Sequence, residues 1–163
     1  MNQVHFQAPR LSRLNKIILI ATGVIFLAAS ILKAIGAFSL VKFLGLSAIG
    51  LSQGLIFQFM TYPFAEDQLM SFLFSSLIVW FIGSELESNW GERVYLRFLL
   101  LIVLGVGMIY SLVTVLFFFG TPISYLPLHG LSGITFSLLT AYALLYPDRQ
   151  MAFMMIFPMK ART

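Results

Sequence analysis

The sequence predicts an all-α, polytopic transmembrane helix bundle: four spans plus a first loop embedded in the membrane. Three observations carry the prediction of a helical membrane body. Charged residues make up only 10% of the 163 positions, against about 25% in ordinary soluble domains. Hydrophobic residues reach 60%, and the mean hydropathy is +0.95. The few charges are also clustered, so that Phe98 to Pro147 carries none. That run of about 50 residues is long enough to cross a hydrocarbon core of about 30 Å twice, at about 1.5 Å per helical residue. Too little polar side chain remains to coat a water-facing globule, and the lipid bilayer is the solvent that fits.

Each element follows from the apolar runs and their breakers. Residues 1–16 form a cytoplasmic N-terminal segment, and 17–163 form a partial membrane domain. Arg10, Arg13 and Lys16 precede a run that resembles a secretory signal, with Ala28-Ala29-Ser30 as a weak cleavage site. The run continues past that point, which favours a retained first helix from Ile17 to about Phe38. Lys33 interrupts it and can snorkel to the interface. Gln68 to Ser84 reads as the second helix, Phe98 to Phe119 as the third and about Leu126 to Tyr146 as the fourth. Gly120-Thr121-Pro122 breaks the third, and Pro147-Asp148 stops the fourth. Phe43 to Ala65 is uncharged and long enough to span. Its glycines, Pro63, Gln53 and Gln58 nevertheless favour a structured loop in the membrane over a fifth span.

The basic residues give the orientation. Arg10, Arg13, Lys16, Arg93, Arg97 and Arg149 fall on one side, Lys33 and Lys42 on the other, which places the N-terminus in the cytoplasm of an inner or plasma membrane. A net charge of +4 therefore reflects topology, and no nucleic-acid partner is expected. With no cysteine there is no disulfide or thiolate chemistry. No His/Glu spacing resembles a zinc site, so neither metal nor cofactor is expected. Glu85, Glu87 and Glu92, beside Trp90, Arg93 and Arg97, read as a solvated cytoplasmic loop with ion pairs.

The segment with chemical content is Leu128-His129-Gly130-Leu131-Ser132-Gly133, at the start of the fourth helix. A helix beginning near Gly130 is too short to fill the core, which would recess its first turn and expose Ser132 in a cavity. The unpaired N–H groups of a helix start can stabilise an oxyanion beside a serine nucleophile. Gly130 and Leu131 would line that position. The plainer reading is a serine cap with small-residue packing, in which Gly133, Ser137 and Ala141 form a ridge for a neighbouring helix.

These residues, with others in order along the chain, resemble the rhomboid intramembrane serine proteases. The resemblance rests on Phe59-Met60-Thr61-Tyr62-Pro63-Phe64, on Trp80 to Glu87 followed by Trp90-Gly91, on Gly130-Leu131-Ser132-Gly133 with Tyr146-Pro147-Asp148-Arg149, and on Pro158 to Arg162. It implies a six-helix core, a serine–histidine dyad with Ser132 as nucleophile, and cleavage of transmembrane protein substrates. The chain departs from that pattern in three ways. The fifth and sixth helices, with the base histidine, are missing from the pattern, so the chain reads as an incomplete one that would be inactive alone, its truncation or natural shortness left open. His5 and His129 do not obviously replace that histidine, and His129 reads as an interfacial polar residue. Ser71 and Ser75 stand where the second helix of many rhomboids carries oxyanion donors, and they equally suit packing against the fourth helix. Ser137 and Thr140 replace further glycines. The leading expectation is a rhomboid-type serine endopeptidase. The alternative is a non-catalytic rhomboid-like protein that binds transmembrane helices, and a third reading is a small scaffold or transporter fragment.

Overall fold

The computed structural model describes residues 11–146, and every regular element among them is helical. Helix α1 spans Arg13–Ala34, a mostly apolar run that stops just before Gly36, whose φ is +70°. Lys33 in its last turn complements the negative end of the helix dipole. Most of α1 faces outward, with Ile20, Val24, Leu27 and Ile31 exposed at helical spacing along one stripe. In a bilayer that stripe is the lipid face.

Three short helices follow: α2 (Leu40–Leu44), α3 (Ala48–Ser52) and α4 (Gln58–Thr61), the last running into a 3₁₀ turn at Tyr62–Phe64. Ser39 and Ser47 cap α2 and α3 by accepting the N–H groups of Lys42 and Gly50. The region has the form of a folded loop. Its Ser47, Gln58 and Thr61 side chains are satisfied internally, which suits irregular backbone at membrane depth. Gln58 is buried, donates to the Phe43 carbonyl at 3.0 Å and accepts from the Ser47 N–H at 3.3 Å.

Helix α5 runs over Leu69–Trp90 with a π-helical turn at Val79–Gly83. Gly91, at φ +82°, is the only residue between it and helix α6, Glu92–Phe118. Only glycine adopts that conformation without strain, and the chain reverses at this one position. Helix α7 covers Ser132–Leu145.

Three helices are long and apolar enough to cross a membrane, α1, α5 and α6. The fourth expected span is shorter than anticipated. It begins at Ser132 rather than near Leu126 and has 14 residues, about 21 Å of rise against a core of about 30 Å. The preceding stretch is held instead as extended backbone, Leu46 and Leu128 exchanging N–H···O bonds of 2.9 and 2.7 Å.

The core forms where α5, α6 and α7 meet the folded loop, with Leu46, Tyr62, Val79, Leu86, Tyr95, Leu99, Leu131 and Leu138 buried together. Tyr62 reaches across to donate to the Val103 carbonyl at 2.9 Å. At the end of the bundle carrying Arg13, Lys16, Arg93 and Arg97, a buried polar group ties three helices. Tyr95 Oη donates to Asn15 Oδ1 at 2.8 Å, and Asn15 Nδ2 donates to Ser12 and Glu87. Ser12 also donates to Glu87. Glu87 is thus only 7% exposed, which corrects its expected place in a solvated loop. Gly83 leaves room for this group, since a Cβ there would lie 2.6 Å from Tyr95 Oη.

Candidate functional site

The site foreseen around Ser132 lies at the opposite end, where the lead-in to α7 meets the segment between the 3₁₀ turn and α5. Gly130 sits at φ +87°, and its N–H donates to the Tyr62 carbonyl at 2.9 Å. This bond fastens the lead-in to the folded loop, together with the Leu46–Leu128 bridge. Glu66 packs against the same glycine, with Oε2 only 2.7 Å from the position a Cβ would occupy. Gly130 is therefore required by conformation and by space. Gly133 is different, since a Cβ there would meet Val106 at an ordinary 3.6 Å.

This arrangement bears on the oxyanion chemistry expected here. The Gly130 N–H is already engaged by the Tyr62 carbonyl, and the Glu66 carboxyl oxygens crowd the same residue. Leu131 is fully buried. Ser132 is exposed at the first position of α7, and its hydroxyl has no hydrogen-bond partner among the described residues. A serine hydroxyl with no adjacent base is a weak nucleophile. His129 does not supply that base here, because its Nδ1 faces Asp67 Oδ1 at 3.9 Å and no hydrogen bond joins it to Ser132. The cavity that opens at this end, about 270 Å³, is walled by Lys33, Lys42, Glu66, Asp67 and His129 without Ser132. Ser75 is buried and Ser71 half-buried on α5, which packs against α7.

The fold also brings together a group that sequence reasoning missed. Glu66, Asp67 and His129 each place one potential ligand atom within 4.8 Å of the others. The expectation of no metal site rested on local spacing, whereas His129 reaches the adjacent pair Glu66-Asp67 from 62 residues further along the chain. The buried Gln58 and Glu87 likewise showed no local signal. His5, Arg10, the Pro147-Asp148-Arg149 stop and the Pro158 to Arg162 segment lie outside the described residues.

Comparison with known families decides the membership. A family model described as eukaryotic integral membrane protein (DUF1751) matches residues 16–163. The chain belongs to this family. Membership in DUF1751 corrects the resemblance to the rhomboid serine proteases, because the match that covers nearly the whole chain is to DUF1751 and not to that enzyme family. Two glycines of the motifs that carried the resemblance have local structural reasons. Gly130 serves the turn and the Glu66 contact, and Gly83 makes space for the Tyr95–Asn15 bond. As a DUF1751 protein the chain is a multi-pass integral membrane protein. Searches of curated proteins and of solved structures returned no match.

Proposed function

We propose that this protein is a non-catalytic, rhomboid-like membrane protein that binds transmembrane helices of other proteins. The observation that carries the reading is the outward face of α7. Ser132, Phe136 and Thr140 are exposed at i, i+4 and i+8, flanked by the half-buried Gly133, Ser137 and Ala141. Inside a membrane, helices associate through small side chains that let backbones approach and through hydroxyls that bond across the interface. The shortness of α7 adds to this, because lipid must thin around a helix of 14 residues and a longer guest helix relieves that mismatch. Non-catalytic action agrees with the engaged Gly130 N–H, the adjacent Glu66 and a Ser132 hydroxyl that meets no base among the described residues.

The basic residues at the α1 and α6 starts favour an orientation with that end in the cytoplasm. Gly130, Leu131, Ser71 and Ser75 then serve to position α7, with no part in acyl transfer.

The test is photocrosslinking in nanodiscs from a probe at Phe136, with a single-span protein as guest. Crosslinks that fall at least about fivefold on Thr140→Leu support the reading. Crosslinking that ignores Thr140→Leu speaks against α7 as the binding face. Covalent labelling by a fluorophosphonate that disappears with Ser132→Ala would overturn the non-catalytic assignment.

A further inference from the structure

We infer that Glu66, Asp67 and His129 form a binding site for a divalent transition-metal ion, with Zn²⁺ the best fit. The argument begins with Glu66. It is only 3% exposed, and its Oε2 has no hydrogen-bond partner. A buried acceptor left unpaired is costly, and a buried carboxylate without a counter-charge more so. His129 Nδ1 is a second buried atom without a partner, and it belongs to the same cluster. Two orphaned donor atoms from different segments, converging with a third ligand, have the chemistry of a cation site.

The side chains that might otherwise neutralise the acids do not close on them. Lys33 and Lys42 share the wall of the cavity, yet neither forms an ion pair with Glu66 or Asp67 among the described residues. One imidazole with two carboxylates is a donor set that Zn²⁺ accepts, whereas Mg²⁺ and Ca²⁺ favour oxygen alone. Three protein ligands leave a fourth tetrahedral position, which here opens to the cavity. Ligand atoms around tetrahedral zinc lie about 3.3 Å apart, from bonds of about 2.0–2.1 Å. The atoms lie within 4.8 Å of one another, and His129 Nδ1 and Asp67 Oδ1 at 3.9 Å, so side-chain rotations that move them by about 1.5 Å or less close the site. Bound metal would join the 65–68 segment to the start of α7, reinforcing the link already made by Gly130 N–H and Tyr62 O.

The experiment uses the full chain without a histidine tag, in nanodiscs, stripped with a chelator and titrated with ZnCl₂ in a calorimeter. One Zn²⁺ per chain is expected. Glu66→Gln and His129→Ala should each weaken binding at least about tenfold, with His5→Ala matching the parent. Co²⁺ in place of Zn²⁺ should give the intense visible absorption of a tetrahedral site, lost in His129→Ala. Asp67→Asn, at the exposed edge of the cluster, keeps the test decisive if a buried variant fails to fold. Absence of saturable Zn²⁺ binding would overturn the inference, as would binding unchanged across the Asp67, Glu66 and His129 variants that fold.

Discussion

Replacing Gly83 by alanine places a methyl group against the Tyr95 hydroxyl inside the polar group that joins α1, α5 and α6. The new Cβ would lie 2.6 Å from Tyr95 Oη and 3.1 Å from the Asn15 amide atoms. Tyr95 is fully buried, so its hydroxyl has no open space into which to move. Overpacking costs about 1–3 kcal/mol. Displacing the Tyr95–Asn15 hydrogen bond leaves buried partners unpaired, a further 1–2 kcal/mol or so. Alanine recovers about 1 kcal/mol of helix propensity. The net expectation for Gly83→Ala is a loss of about 1–4 kcal/mol. Tyr95→Phe alone should cost about 1–3 kcal/mol, because Asn15 Oδ1 loses its donor. With that hydroxyl removed, the alanine methyl has room. The double variant should therefore be no less stable than Tyr95→Phe, giving a coupling of at least about 1 kcal/mol. Reversible denaturant unfolding in mild micelles, followed by the fluorescence of Trp80 and Trp90, measures all three. Additivity of the two single effects to within about 0.5 kcal/mol would refute the placement of Gly83 against the tyrosine.

Other perturbations separate the local roles. Gly130→Ala should destabilise by about 2–4 kcal/mol, from the left-handed backbone and the Glu66 contact, whereas Gly133→Ala should be neutral or stabilising, and thermal unfolding of the pair distinguishes them. Gln58→Ala removes both bonds that tie Ser47 to Phe43 and should cost about 2–4 kcal/mol, seen as faster proteolysis between α2 and α4. Burial pushes the Tyr62 phenol up from 10.0 to about 12. The folded state then holds that proton more tightly than the unfolded state, so the associated stability is complete below pH 10 and is lost as pH rises through 12. The ultraviolet titration of Tyr62→Phe should lack a phenolate step near pH 12 that the parent shows. Ser132→Ala should change stability by less than about 0.5 kcal/mol, since the hydroxyl is exposed and unbonded.

Much of the helical body was legible because bilayer solvation imposes long charge-free runs. The stretch from Phe98 onward located the apolar bulk of α6, and the glutamines and glycines of 43–65 pointed to a folded loop. The true start of α6 was harder to read. Glu92, Arg93 and Arg97 resemble a polar connection, yet acidic and basic side chains are at home in a first helical turn at an interface, and one glycine suffices for the reversal. Helix α5 continues through Glu85 and Glu87 for a related reason, as Glu87 finds hydroxyl and amide donors on α1. That pairing is long-range and has no local pattern. At the other end, the order Gly130-Leu131-Ser132-Gly133 was visible, but its surroundings were not. Whether the Gly130 N–H is free depends on the Tyr62 carbonyl, and the approach of Glu66 depends on how the whole loop folds back. A motif specifies which groups are available, and only their neighbours determine whether they are engaged.

The single-residue reversal at Gly91 has a mechanical consequence. With no slack between Trp90 and Glu92, the tips of α5 and α6 that meet at Gly91 behave as a fulcrum, reinforced by the clasp from Asn15. The far tips are joined to their neighbours by much longer stretches, from Phe119 to Leu131 and from Ile35 to Gln68. Any spreading of the bundle to admit a visitor must therefore fan open like a pair of compasses, widest on the side where Ser132 begins its helix.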